Sequence, residues 1–202
     1  MARAAFLEPF DRNASFLAGL LAVVVATKLA SNLWGRKATT DAWRKGADGE
    51  ELTARTLARL PVPYVSLHDL RIPGSRANID HLVIGPSGVF TVETKHYAGD
   101  VEVKCGRAQR GGRSMSSVVE QAAGQAKVAS GILGCVVRPI VCIQGGRVTG
   151  PLFSRPVVGK VRFCSDRHLN NVITSASGAL SNEAVMGIVD LANRGFGVDD
   201  LT

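Results

Sequence analysis

Apolar and polar positions divide the chain into an N-terminal stretch and a patterned body. From Ala14 to Ala26 the one polar residue is Ser15, and apolar character continues through Leu29 and Ala30 to Leu33 and Trp34. This run of roughly 20 residues carries a single charge, Lys28, and is close to the length of a helix that spans a bilayer. Lys28 would snorkel to the interface, with Trp34 at headgroup depth. Arg36, Lys37, Arg44 and Lys45 follow the run. The excess of cations on that side puts the body in the cytoplasm. Residues 1–35 are therefore expected to hold an apolar helix, a single-pass anchor presenting the rest at the cytoplasmic face of a membrane. A buried or interfacial helix of a soluble cytoplasmic protein is the alternative. A cleaved signal peptide fits less well, because the start is not strongly basic and Lys28 interrupts the cleavage region.

Residues 36–45 read as a polar linker, and the domain is expected over 46–202. Leu52, Leu57 and Leu60, with Ala54 and Ala58, give one apolar stripe and predict a helix over 46–60, stopped by Pro61. Strands are predicted for 64–70, 78–84 and 89–95, the last two joined by a four-residue turn Gly85-Pro86-Ser87-Gly88. A short strand follows at 101–104, then a Gly- and Arg-rich exposed loop over 106–113. Next come a helix over 116–133, a buried strand over 136–143, a strand over 157–163, and helices near 166–174 and 181–194. No internal repeat is visible. This order predicts an α/β domain: a central mixed β-sheet flanked by helices.

The strand at 78–84 and its neighbour carry the candidate chemistry. With Gly85 to Gly88 as the loop, Ile84 faces Val89 and Asp80 faces Glu93, with Lys95 two residues further on. Alternation puts Asp80, Glu93 and Lys95 on one face of the sheet. Directly opposed residues have Cβ atoms only about 4.5–5.5 Å apart, so two carboxylates there repel unless a cation sits between them. Mg²⁺ suits such a pair, because it takes oxygen ligands from one or two carboxylates and completes its shell with water and phosphate oxygens. The surrounding hairpin is apolar (Ile79, Leu82, Val83, Ile84, Val89, Phe90, Val92), so a charged strand face within it calls for a reason. An ordinary charged surface hairpin is the plain alternative. His81 and His96 belong to the opposite face in this register.

The stretch from Ile79 to Lys95 resembles the core of the nuclease-related domain (NERD) family, which is placed in the PD-(D/E)xK nuclease superfamily. Gly46-Ala47-Asp48-Gly49-Glu50 is similar to that family's GxxGE opening, and Gln121 matches its glutamine in a later helix. The resemblance covers roughly 46–145. It implies a restriction-endonuclease-like fold and a Mg²⁺ or Mn²⁺ cofactor ligated by Asp80 and Glu93, with Glu50 adding a carboxylate. Lys95 would position the attacking water and stabilise charge on the phosphorus, and Gln121 would hold the site or touch a phosphate. His96 stands where the family often has Asn, and a usual tryptophan and a usual proline are missing between Val101 and Glu120.

Net charge agrees with a polyanionic partner: 24 Lys and Arg against 17 Asp and Glu give +7 and a pI near 9.6. Lys104, Arg107, Arg110 and Arg113 form a basic segment just after the site, expected to meet nucleic-acid phosphates. Gln125, one turn after Gln121, shares its helix face as a second candidate. Cys105, Cys135, Cys142 and Cys164 form no zinc-spaced set and read as reduced core residues. The expected function is Mg²⁺-dependent hydrolysis of phosphodiester bonds in DNA, with RNA as a possible substrate. A nucleic-acid-binding module that no longer cuts is the alternative, as is a membrane-associated interaction protein. Nothing in the sequence speaks to oligomeric state.

Overall fold

The computed structural model describes residues 46–75, 77–150 and 156–196. The anchor helix expected within 1–35 and the linker at 36–45 lie outside these residues. Among the described residues, no helix is long and apolar enough to cross a membrane.

The first helix, α1, covers residues 46–57 and ends before Pro61. Then come β1 (Val65–Arg71), β2 (Asn78–Gly85) and β3 (Gly88–His96), an antiparallel meander. After β3 the chain makes three short strands, β4 (Val101–Lys104), β5 (Arg107–Arg110) and β6 (Arg113–Ser114). Helix α2 (Ser116–Leu133) leads back to β7 (Val137–Gln144), which lies parallel to β3. The remainder is β8 (Val148–Thr149), β9 (Val157–Val158), β10 (Val161–Ser165), a 3₁₀ turn (Asp166–His168), α3 (Leu169–Thr174) and α4 (Asn182–Gly195). The main sheet runs β1-β2-β3-β7-β10-β9, with β7 and β10 parallel to β3, so it is mixed as predicted. A second sheet, β6-β5-β4-β8, stands beside it.

Helices cover both faces of the main sheet, which explains why β2 and β3 read as nearly continuous apolar runs. On one face, Leu82, Ile84, Val89 and Val137 pack against Ala126, Ala129 and Leu133 of α2 and Val185, Val189 and Ala192 of α4. On the other, Val83, Phe90, Val92, Ile140 and Cys142 pack against Leu57 of α1 and Leu169, Val172 and Ile173 of α3. A third cluster joins Val101, Val103 and Ala108 of the small sheet to Val118 and Ala122 of α2 and to Phe163.

Four expectations change. The segment 106–113 is not a loop but two strands. Cys105 and Gly106 (φ +50° and +69°) turn β4 into β5, and Gly111 and Gly112 (φ +54° and +75°) turn β5 into β6. Two successive positive-φ residues match the right-handed twist of a tight hairpin, and Ala108 buries the inner side of β5. The segment 157–163 is two antiparallel strands, β9 and β10, split by a turn at Gly159 (φ +59°) and Lys160. Of the cysteines, Cys142 and Cys164 are buried opposite one another, but Cys135 is half-buried and Cys105 is exposed at its turn; all four are free thiols. The β2–β3 turn is also tighter than expected: Gly85 pairs with Gly88 and only Pro86 and Ser87 lie outside the ladder.

Phe163 is fully buried between the two sheets, whereas Val136 is 78% exposed. Phe163→Ala is expected to lower unfolding free energy by roughly 3–5 kcal/mol. Val136→Ala should change it by less than about 0.5 kcal/mol. Urea denaturation of both variants checks the pair.

Candidate active site

The β2–β3 ladder keeps the predicted register from Gly85 opposite Gly88 to His81 opposite Val92. Beyond that last pair, the Thr94 N–H donates to the Asp80 carboxylate (Oδ2, 2.8 Å) instead of continuing the ladder. Glu93 and Lys95 alternate with Thr94, so they stand on the α2 face with Asp80, and Thr94 and His81 on the α1 face.

Glu93 is the buried centre of the site, 1% exposed, and both of its oxygens are engaged. Lys95 Nζ lies 2.5 Å from Oε1. Gln125 Nε2 donates to Oε2 at 2.7 Å and also to the Asn78 carbonyl at 2.9 Å. Burial alone would lower the Lys95 ammonium, but the charge and hydrogen bond of Glu93, with Asp80 and Tyr97, outweigh it and hold the pKa above the usual value. Asp80 is pushed up to about 7, first by burial and then by repulsion from Glu93, with Glu50 adding to it; the Thr94 N–H and Lys95 pull the other way.

Glu50 of α1 is exposed and lies at the solvent side of this group. Its carboxyl is raised by partial burial, then by Asp69 and Glu93, against Lys95. The structure thus brings Asp80, Glu93 and Lys95 together, with Glu50 in electrostatic reach. It does not gather the predicted three-carboxylate ligand set: among the described residues no three His, Cys, Asp or Glu side chains converge as metal ligands. The two carboxylates remain a fit for a hard cation that keeps most of its waters, as Mg²⁺ does. Two observations support the fit. Asp80 and Glu93 repel each other as they stand, and Gln125 Oε1 is a buried oxygen acceptor without a hydrogen-bond partner beside them.

Gln121 is not at the centre. It is exposed, one position before Ala122 in the buried stripe Val118, Ala122, Gln125, Ala126, Ala129 of α2, and the glutamine that reaches Glu93 is Gln125. Gln125 lies three residues after Ala122 and four before Ala129, on the helix face that docks against the sheet. Asp69 was missed. It takes φ +50° within β1, where the ladder pairs its neighbours His68 and Leu70 but not Asp69 itself, and Asn78 Nδ2 donates to its Oδ1 at 2.7 Å. An aspartate that leaves a strand's regular backbone has no signature in an alternation pattern.

The four basic residues are divided. Lys104 and Arg107 flank the β4–β5 turn, and Arg110 and Arg113 pair at the other end of β5. Arg110 lies 4.3 Å over the Tyr97 ring and donates to the Ala98 carbonyl, two and three residues past Lys95.

Behind the site, a buried polar chain ties α1 to the sheet. Thr53 donates to the Gly49 carbonyl (3.0 Å) and accepts from Thr94 (3.1 Å) and from Gln144 Nε2 (2.9 Å). Since Thr94 gives its proton to Thr53, it must accept from His81 Nε2 at 3.2 Å, and His81 Nδ1 then accepts from His68 Nδ1 at 2.8 Å. This order needs a neutral His81, and burial, then the neighbouring His68, pushes that imidazole down to about 3. Gly49 of the GxxGE segment lets α1 lie against the end of β3: a Cβ there would stand 2.9 Å from His96 Cβ.

Asp80 in the folded chain binds a proton that the unfolded chain has already lost between the ordinary carboxylate range and about pH 7. Its contribution to stability therefore falls as pH rises through that window and stays low above it. Asp80→Asn in EDTA is expected to stabilise the fold at pH 8 by roughly 1–3 kcal/mol and to do little at pH 4. Thermal melts of both proteins at the two pH values test this; an equal effect at both would refute it.

Comparison with known proteins adds the family. No solved structure matches the chain. An uncharacterised protein of Bacillus anthracis is 46% identical over 59 residues, which is 27% of this chain and 28% of that protein. Residues 45–144, a span that takes in the described part of α1 and ends with β7, match the nuclease-related domain, a family of the PD-(D/E)xK-like nuclease superfamily. With Asp80, Glu93 and Lys95 converging inside that span, the chain belongs to the nuclease-related domain family.

Proposed function

We propose that this protein is a divalent-metal-dependent nuclease that hydrolyses phosphodiester bonds in DNA, with Asp80, Glu93 and Lys95 at its centre. The observation that carries the reading is the buried Glu93–Lys95 pair with Asp80 beside it, inside a domain whose family is nuclease-related. A cation of the Mg²⁺ or Mn²⁺ kind, held by Asp80 and Glu93, would supply electrophilic assistance at the scissile phosphate. Lys95 brings a fixed positive charge to where an anionic phosphate and its attacking water must meet, and is a hydrogen-bond donor to either. Gln125 holds one oxygen of Glu93, and the Thr94 N–H holds one oxygen of Asp80, so both carboxylates keep their orientation without help from substrate. Glu50 and Asp69 make the approach acidic and would disfavour bare phosphate, which supports a role for the cation in substrate binding. Arg110 and Arg113 lie nearest the site along β5 and β6 and are the residues proposed to meet the flanking backbone, by sequence-independent contacts.

The net charge of +7 supports a nucleic-acid partner. The apolar run at residues 14–34 is the ground for proposing that the nuclease is tethered to the cytoplasmic face of a membrane.

The test is incubation of the full chain with supercoiled plasmid in Mg²⁺ or Mn²⁺ and in EDTA. Nicking that requires metal and falls ~100-fold or more in Glu93→Ala and Lys95→Ala is the expected result. Gln125→Ala, acting through Glu93, should lose ~10–100-fold, while Gln121→Ala stays close to the parent. Metal-independent DNA binding without cleavage, in folded protein, would replace this reading with that of a binding module.

A further inference from the structure

A cavity of about 310 Å³ opens on the sheet face opposite Glu93. Its apolar wall is made by Phe90, Ile140 and Val172, which belong to the core on the α1 and α3 side. Three cations reach it from different elements: Arg138 from β7, Arg162 from β10, and Lys160 from the β9–β10 turn. Among the described residues, no acidic side chain lines it.

The way Arg138 is held matters most. Its Nη1 and Nη2 donate to the carbonyls of Ser87 (3.2 Å) and Ser177 (2.6 Å), and its guanidinium lies 5.6 Å over the Phe90 ring. These are neutral partners, so the side chain is fixed in place while its charge is not neutralised by a carboxylate. Register sets Arg138 directly beside Phe90 and one strand from Arg162's neighbourhood, where Ile140 pairs with Arg162. A fixed cation over an aromatic ring, two further cations and an apolar wall form a two-part recognition surface. An anion alone would leave the wall unused, and a neutral apolar molecule would leave the charges of Arg138 and Lys160 uncompensated.

We infer that this cavity binds a small organic anion: one phosphate, sulfonate or carboxylate head on an apolar or ring body. The volume lies at the small end of ligand sites, which suits a molecule no larger than about a mononucleotide and not a polymer. The head engages Arg138, Arg162 and Lys160 by charge-assisted hydrogen bonds, and the body lies on Phe90, Ile140 and Val172. The site is independent of the nuclease reading, since it shares no residue with the Asp80–Glu93–Lys95 group.

The experiment is calorimetric titration of the full chain carrying Lys95→Ala, in EDTA, so that binding at the other site is suppressed. The probes are deoxyadenosine monophosphate, 1-anilinonaphthalene-8-sulfonate, inorganic phosphate and deoxyadenosine. At least one organic anion is expected to bind with Kd below about 1 mM and ~10-fold or more tighter than both phosphate and the nucleoside. Lys160→Glu, an exposed turn substitution that leaves the core intact, should weaken it by ~10-fold or more. Arg138→Gln should do the same, with circular dichroism to confirm folding. If neither organic anion outbinds phosphate, or if Lys160→Glu leaves their affinity unchanged, the assignment is overturned.

Discussion

Burial of the Glu93 carboxylate is the constraint around which the domain is arranged. A carboxylate taken out of water in the middle of a sheet is tolerable only when its oxygens are met by donors and its charge by a cation. Lys95 meets one oxygen from the same strand and Gln125 the other from α2. The second contact needs α2 to lie close along β3. That in turn needs the small residues Ala122, Ala126 and Ala129 on the helix face turned toward the sheet. The packing that completes the hydrophobic layer is therefore the same packing that positions the acid.

The two faces of β3 divide the work. One carries Glu93 and Lys95; the other carries Thr94, which anchors α1 through Thr53 and meets His81. Thr94 links both, because its backbone N–H holds Asp80 on the first face while its hydroxyl is committed on the second. Gly49 lets α1 approach closely enough for Thr53 to reach Thr94, and brings Glu50 to the rim of the site. The glycine and the glutamate of the GxxGE segment are thus joined by one geometric requirement: α1 must lie tight against the end of β3 at Gly49.

The small sheet extends the structure from the site outward. It begins five residues after His96 and is tied back by Arg147, which pairs with Asp100 and whose carbonyl accepts from the Val101 N–H. Its two tight turns sort four basic residues into two pairs about one strand apart. Only the Arg110–Arg113 pair ends near Tyr97 and Ala98, which makes it the end of the sheet closer to the carboxylates.

Local order along the chain determined much of this protein. Alternation and turn residues in 78–95 set the hairpin, its register and the common face of Asp80, Glu93 and Lys95. The bounds of α2 and the mixed sheet were likewise legible, because each rests on short-range periodicity or a glycine-marked turn. Tertiary structure alone decided which glutamine serves Glu93, since Gln121 and Gln125 are one turn apart and only docking against Ala122, Ala126 and Ala129 chooses between them. It also decided that 106–113 forms strands, because two-residue Gly turns yield a sheet only when Ala108 has a core to cover. The proximity of Asp69 and Glu50 belongs to the same class. Those residues lie on β1 and α1, and no pattern within either element encodes a meeting that depends on how both dock onto β2 and β3.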